Sequence, residues 1–220
     1  MRSAVIFLGP SLDRRAASAI LEADYRPPAA RGDITRAVAD GAPVIGIIDG
    51  VFFQESSVGH REILGALKSG VRVVGASSMG ALRAAELHTL GMEGVGEVYR
   101  MYRDGILVSD DEVALAFDPE SFIALSEPLV NIRATLDRAE KEGVIDHATG
   151  EALLAAAFSL YYPDRTYPRL VREAGGSADP ESLARFSRWV EKGAVDLKRM
   201  DAVQALERIR EILGSPGSLP

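Results

Sequence analysis

Three short runs of apolar and β-branched residues, Ala4 to Leu8, Val44 to Asp49 and Val71 to Ala76, recur through the first third of the chain, each stopped by Gly or Asp. Strands this uniformly apolar have no polar face to turn to water. They therefore belong in a parallel sheet with helices on both sides. Parallel neighbours need crossovers of a dozen or more residues, and the stretches between the runs supply them: helical patterns around Arg14 to Glu22 and Val58 to Lys68, and a Pro-rich loop from Arg26 to Gly32. Beyond Asp118 the strand signal fades. Helical periodicity takes over at Pro128 to Glu142, Glu151 to Tyr161, Pro180 to Lys192 and Ala194 to Leu213. The expected fold is α/β: a small parallel sheet of three or more strands flanked by helices, followed by a helical C-terminal layer. The expected organisation is a single domain over residues 1–213, its helical part at about 120–213, with a flexible Gly/Ser/Pro tail at 214–220.

Composition narrows the function. With 220 residues, 47% of them apolar, the chain can bury a core without metal or disulfide staples. A net charge of -7 argues against binding the nucleic-acid backbone as a main task. No apolar run approaches the ~20 residues of a membrane span, and the start lacks a secretory pattern, so a cytoplasmic location is expected. The chain has no cysteine. Persulfide carriage, thiol nucleophiles, disulfide exchange and Cys-ligated metals are thereby excluded.

The most informative local stretch is Val71 to Leu87, a buried strand leading through a tight turn into an Ala-rich helix. Within it, Ala76-Ser77-Ser78-Met79-Gly80 fits a small-x-nucleophile-x-small pattern, as a sharp strand-to-helix elbow requires. The Ser78 hydroxyl would stand at a helix N-terminus, where the free N–H groups of Met79 and Gly80 and the helix dipole can hold an oxyanion. Two other readings stay open: the turn could bind an anion without catalysis, or Ser77 or Ser78 could simply cap the helix.

A nucleophilic serine needs a base. His88 lies at the far end of the helix that Ser78 begins, roughly 15 Å away at 1.5 Å per residue, and His147 sits in a polar turn. His60 falls on the apolar side of its helix with Ile63, Leu64 and Leu67, the position of a hydrogen-bonded histidine at the edge of the core. A lysine can serve instead where burial favours the neutral amine. Of the four lysines, Lys68, Lys141 and Lys192 stand near helix C-termini on polar faces. Lys198 differs: on a helical wheel it falls among Ala194, Val195, Ala202, Ala205, Ile209 and Ile212, opposite Asp196, Glu207, Arg210 and Glu211. It is either snorkelling past small neighbours or buried for a purpose, and Asp201 three residues on could pair with it.

Asp110-Asp111-Glu112 could gather Mg²⁺, though adjacent acids before an apolar run more commonly open a helix. Asp49 closes the second strand, and Gly9-Pro10-Ser11 closes the first; with the serine turn, these are three strand ends on one rim, where α/β sheets present their sites. No phosphate-binding glycine motif follows any strand, so a nucleotide site has no specific support; no cofactor and no metal are expected.

These motifs have a family resemblance. Phe7-Leu-Gly-Pro-Ser-Leu12, Pro27-Pro-Ala-Ala-Arg-Gly-Asp33, Asp49-Gly-Val-Phe-Phe53, His60-Arg-Glu-Ile-Leu64, Gly75 to Leu87 and Asp110-Asp-Glu-Val113 occur in order and together resemble TfuA-like proteins over roughly residues 4–118. The C-terminal part is similar chiefly through Asp196-Leu-Lys-Arg-Met-Asp-Ala202. The resemblance implies a partner of YcaO enzymes in peptide backbone thioamidation. It further implies a hydrolase that uses a Ser-Lys pair to cleave the C-terminal thiocarboxylate of a ThiS-type ubiquitin-like sulfur carrier, releasing sulfide. Carried onto this chain, the pair is Ser78 and Lys198, with Lys68 the next candidate base. Met79, Gly80, Gly9, Asp49, Ser77, His60 and Arg83 are the expected oxyanion-hole or substrate-binding residues. The rival expectations are a non-catalytic adaptor that docks YcaO with its peptide, and a generic serine hydrolase.

Overall fold

A computed structural model describes residues 3–52 and 57–214, so residue 53 and, apart from Gly214, the tail expected at 214–220 lie outside the described residues. The chain forms two compact units, one of residues 1–110 with 198–220 and the other of residues 111–197.

The first unit is built on a parallel five-stranded sheet in the order β2-β1-β3-β4-β5. Its strands are β1 (Val5–Phe7), β2 (Asp24–Arg26), β3 (Val44–Ile47), β4 (Arg72–Ala76) and β5 (Glu93–Val95). The three apolar runs of the sequence are β1, β3 and β4, the central strands. The two short edge strands, Asp-Tyr-Arg and Glu-Gly-Val, carry no apolar run and are visible only in the structure. An edge strand needs few apolar residues, because half its surroundings are not core.

Alternation along the strands divides the core in two. Val5, Phe7, Ile45, Ile47 and Val73 face α2 (Asp33–Ala39), α3 (His60–Lys68) and α4 (Met79–Leu87). Ala4, Ile6, Leu8, Val74 and Ala76 face α1 (Arg14–Ile20) and the last helix, α10 (Leu197–Gly214), through Ala202, Ala205, Leu206, Ile209 and Ile212. A Cβ at Gly46, in the middle of β3, would lie 2.7 Å from the Ile209 methyl, so this glycine lets α10 lie close on the sheet. One more helix, α5 (Glu97–Arg103), follows β5.

The second unit is helical. It contains α6 (Leu129–Lys141), α7 (His147–Ser159), α8 (Tyr167–Ala174) and α9 (Pro180–Gly193), around Leu136, Leu153, Leu170 and Phe186. Asp146 and Asp179 cap α7 and α9 through Thr149 N and Ser182 N. The expected helices at 128–142 and 180–192 are α6 and α9. Those expected from 151 and 194 are α7 and α10, starting at His147 and Leu197. Among the described residues, no helix is long and apolar enough to cross a membrane.

Candidate functional site

Because β1, β3 and β4 are adjacent and parallel, their C-terminal ends bring Gly9-Pro10-Ser11, Asp49 and Ser77-Ser78 to one edge of the first unit. The strand order reverses between β1 and β3, the usual crevice of such sheets. Here the chain fills it. Ala29 and Val51 exchange backbone hydrogen bonds with residues 49 and 29, and Pro28 sits so close to Gly9 that a Cβ there would lie 2.5 Å from the proline ring.

Asp49 was a candidate for substrate binding, but its carboxylate is occupied. It is 2% exposed and accepts from Gly9 N (2.9 Å), Ser11 N (3.1 Å) and the Ser11 hydroxyl (2.6 Å). Asp49 and Gly9 therefore hold the rim together. Removing the acceptor leaves three buried donors without a partner, at about 1–3 kcal/mol for each such loss. Asp49→Ala is accordingly expected to lower stability by roughly 3 kcal/mol or more, read as a fall in urea midpoint at unchanged m-value.

The helix after the serine turn begins at Met79, with Ser78 just before it, as the sequence reading expects. Ser77, not Ser78, takes the left-handed backbone, at φ 68°, and Ser78 N donates to Ala76 O at 2.8 Å across it. Together these make a γ-turn of the rarer, strained hand. Ser77 is fully buried and its hydroxyl has no hydrogen-bond partner. Ser78 occupies the N-cap position of α4, yet its side chain makes no capping bond, so the capping reading does not hold for its hydroxyl. The turn can be this tight because Gly75 and Gly80 cross in contact: a Cβ on Gly80 would overlap the Ile47 carbonyl, and one on Gly75 would overlap the Gly80 carbonyl. Gly80 N donates to Ile48 O over a long 3.4 Å, so of the two N–H groups expected to hold an oxyanion it is already engaged.

The strain makes a prediction. A left-handed L-residue costs about 1–2 kcal/mol and an unpaired buried hydroxyl about 1–3 kcal/mol, against about 0.5–1 kcal/mol for the freedom glycine loses on folding. Ser77→Gly is therefore expected to stabilise the protein by about 1–4 kcal/mol. An unchanged or lower urea midpoint would show that Ser77 stores no such strain.

Lys198 is 2% exposed, a buried amine in the first turn of α10. That turn lies at the same rim, since Arg199 reaches Asp13, the N-cap of α1, at 3.4 Å, and Asp201 reaches the start of α5. The Ser77 hydroxyl has no partner, so no hydrogen bond joins it to Lys198. The alternative base, Lys68, is exposed at the C-terminus of α3, next to where β4 begins, at the opposite edge of the sheet.

Two other expectations are corrected. His60 is exposed rather than at the core edge, and its Nε2 lies 2.7 Å from Glu86, whose carboxylate also accepts from Arg83. Arg83 is held further by Val58 O and borders a cleft of about 570 Å³ with Met79, Leu82 and Val108. The acidic run is not a helix start but a 3-10 turn, Asp110–Glu112. In the second unit, Glu112 takes both bonds of a fork from Arg133, and Asp111 pairs with Arg165. Among the described residues no group of three or more His, Cys, Asp or Glu is gathered for a metal.

Sequence reasoning also missed what Asp201 does. It is fully buried and accepts from Glu97 N and Val98 N, both at 2.8 Å, capping α5 from another helix. Burial raises its pKa to about 6, against the lowering effect of those two N–H groups. The folded state thus binds this proton more tightly than the unfolded chain. Its contribution is full below about pH 3.8 and is lost as pH rises through about 6. At about 1.4 kcal/mol per tenfold in proton affinity, the total is roughly 3 kcal/mol. Urea stability should accordingly fall more steeply between pH 4 and 6.5 in the wild type than in Asp201→Asn, and equal slopes would refute this.

Fold and site together define a doubly wound α/β protein with a strained serine turn and a buried lysine at the carboxyl edge of its sheet. The TfuA-like protein family model matches residues 49–166, more than half of the chain, and the chain belongs to that family. Membership associates it with YcaO-dependent thioamidation. The match includes the serine turn and extends into the second unit; Gly9 and Lys198 lie outside it. A comparison with curated proteins gives no match.

Proposed function

We propose that this protein hydrolyses the C-terminal thiocarboxylate of a ThiS-type ubiquitin-like carrier in the cytoplasm, releasing sulfide for YcaO-dependent backbone thioamidation. The observation that carries this reading is the uncommitted Ser78 hydroxyl at the head of α4, on the same rim as the buried Lys198. Ser78 is the nucleophile in this reading because the Ser77 hydroxyl is enclosed on all sides.

The carrier's thiocarboxylate is an anion, and the N-terminus of α4 favours it. Neutral Lys198 takes the Ser78 proton as the oxygen attacks the terminal carbon, and the Met79 N–H holds the developing oxyanion. The resulting ammonium returns its proton to sulfur, and the carbon–sulfur bond breaks to release hydrosulfide and leave an acyl ester on Ser78. Water then attacks the ester, with Lys198 again taking the proton; the bond from the acyl carbon to the Ser78 oxygen breaks as the ammonium returns that proton to the serine, and the carrier departs as a carboxylate after losing its acid proton to solvent. Water and a thiocarboxylate thus become a carboxylate, hydrosulfide and one proton released to solvent, with no oxidant or reductant. The cleft beside Met79, Leu82 and Arg83 gives a thin chain end a route toward the turn.

The test is to incubate the protein with thiocarboxylated carrier and follow sulfide. No release above the uncatalysed rate would leave the non-catalytic adaptor as the function. Rapid cleavage of simple activated esters with the carrier ignored would make it a generic hydrolase.

A further inference from the structure

A helix N-terminus normally receives its cap from the residue just before it. At α5 that position is Gly96, with φ 94°, and a Cβ there would overlap the Asp201 carboxylate. Glycine vacates the seat and Asp201, from a helix more than 100 residues later, fills it with both oxygens bonded. Asp201 lies three residues after Lys198, about 5–6 Å away on the same helical face. On the other flank of the same turn, Arg199 reaches Asp13. The first turn of α10 is therefore fixed from two sides at the rim.

On the reading that Lys198 is the base, we propose that Asp201 is its positioning residue: the latch onto α5 sets the register and height at which α10 presents Lys198 to the serine turn. The charged groups that act on the Asp201 carboxylate are Arg100 and Glu97 of α5, and Lys198 and Arg199 precede it by three and two residues in α10.

The test uses the full chain and two readouts. One is kcat and KM for sulfide release from thiocarboxylated carrier. The other is the titration of Lys198 followed by NMR of its ε-methylene, assigned among the four lysines by its loss in Lys198→Met. Asp201→Asn keeps the size but turns an amide donor toward a backbone N–H. It should lower kcat by about tenfold or more, since misplacements near 1 Å cost about that or more, with KM within about twofold. Lys198 should titrate at lower pH, because a neighbouring anion has gone. Asp201→Glu keeps the charge but is longer by one methylene. It should lower kcat similarly while Lys198 titrates as in wild type, and it carries the test alone if Asp201→Asn does not fold.

Wild-type kcat in either folded variant, or an unmoved Lys198 titration in Asp201→Asn, would reduce Asp201 to a helix cap and overturn the proposal. If the wild type itself releases no sulfide, the functional reading fails, and the latch is judged on the NMR titration alone.

Discussion

Ser78→Ala and Lys198→Met are each expected to slow sulfide release from thiocarboxylated carrier by about 10³-fold or more, as removing one member of a nucleophile–base unit generally does. Because such a pair acts as a unit, the double variant should be little slower than either single one. Both variants should still fold. Ser78 contributes no capping bond to lose, and methionine fills much of the space that buried Lys198 occupies without a charge to solvate. Circular dichroism and a urea midpoint near or above the wild-type value would confirm this. Ser77→Ala is the discriminating control. If it abolishes release and Ser78→Ala does not, the nucleophile is the residue on the strained backbone, and the assignment to Ser78 is wrong. Wild-type rates in all three would remove hydrolysis from the turn altogether.

The largest effect on stability is expected at Gly80. A methyl group there would overlap the backbone carbonyl of Ile47, which belongs to a central strand and has no rotamer to retreat into. Overpacking against flexible side chains costs about 1–3 kcal/mol. Against paired backbone, Gly80→Ala should cost about 4 kcal/mol or more, a large share of the roughly 5–15 kcal/mol that holds an ordinary domain together. The urea midpoint measures it. A loss below about 1 kcal/mol would mean that α4 can lift from the sheet, and that the close crossing under the serine turn is not what shapes it.

The apolar central strands made the sheet legible from sequence, and the small residues around Ser77 and Ser78 made the turn legible. Their signals are local: a run of β-branched residues, or glycines where two backbones must touch. The edge strands were hidden because three-residue pieces such as Glu93–Val95 owe their pairing to a neighbour rather than to their own composition. Asp49 and Asp201 were misjudged for one shared reason. Each accepts backbone N–H groups from a distant segment, and nothing in the sequence says which donors a carboxylate will meet. His60 fell on the apolar side of a helical wheel and is nonetheless exposed, since it is the first residue of α3, where the wheel has barely begun. Lys198 was found by the same wheel because apolar residues continue for four turns beyond it.

The helix that closes one face of the sheet comes from the far end of the sequence. Along the chain, residues 111–197 separate the strands of that face from the helix that covers it. During synthesis, Ile6, Leu8 and Val74 must therefore wait, without Ile209 and Ile212, until all of those residues have been made. A nascent chain that already holds its serine turn has as yet no α10 and no Lys198. The serine turn and Lys198 are separated in time as well as in sequence, and a ribosome-bound or C-terminally clipped chain would display an uncovered apolar sheet.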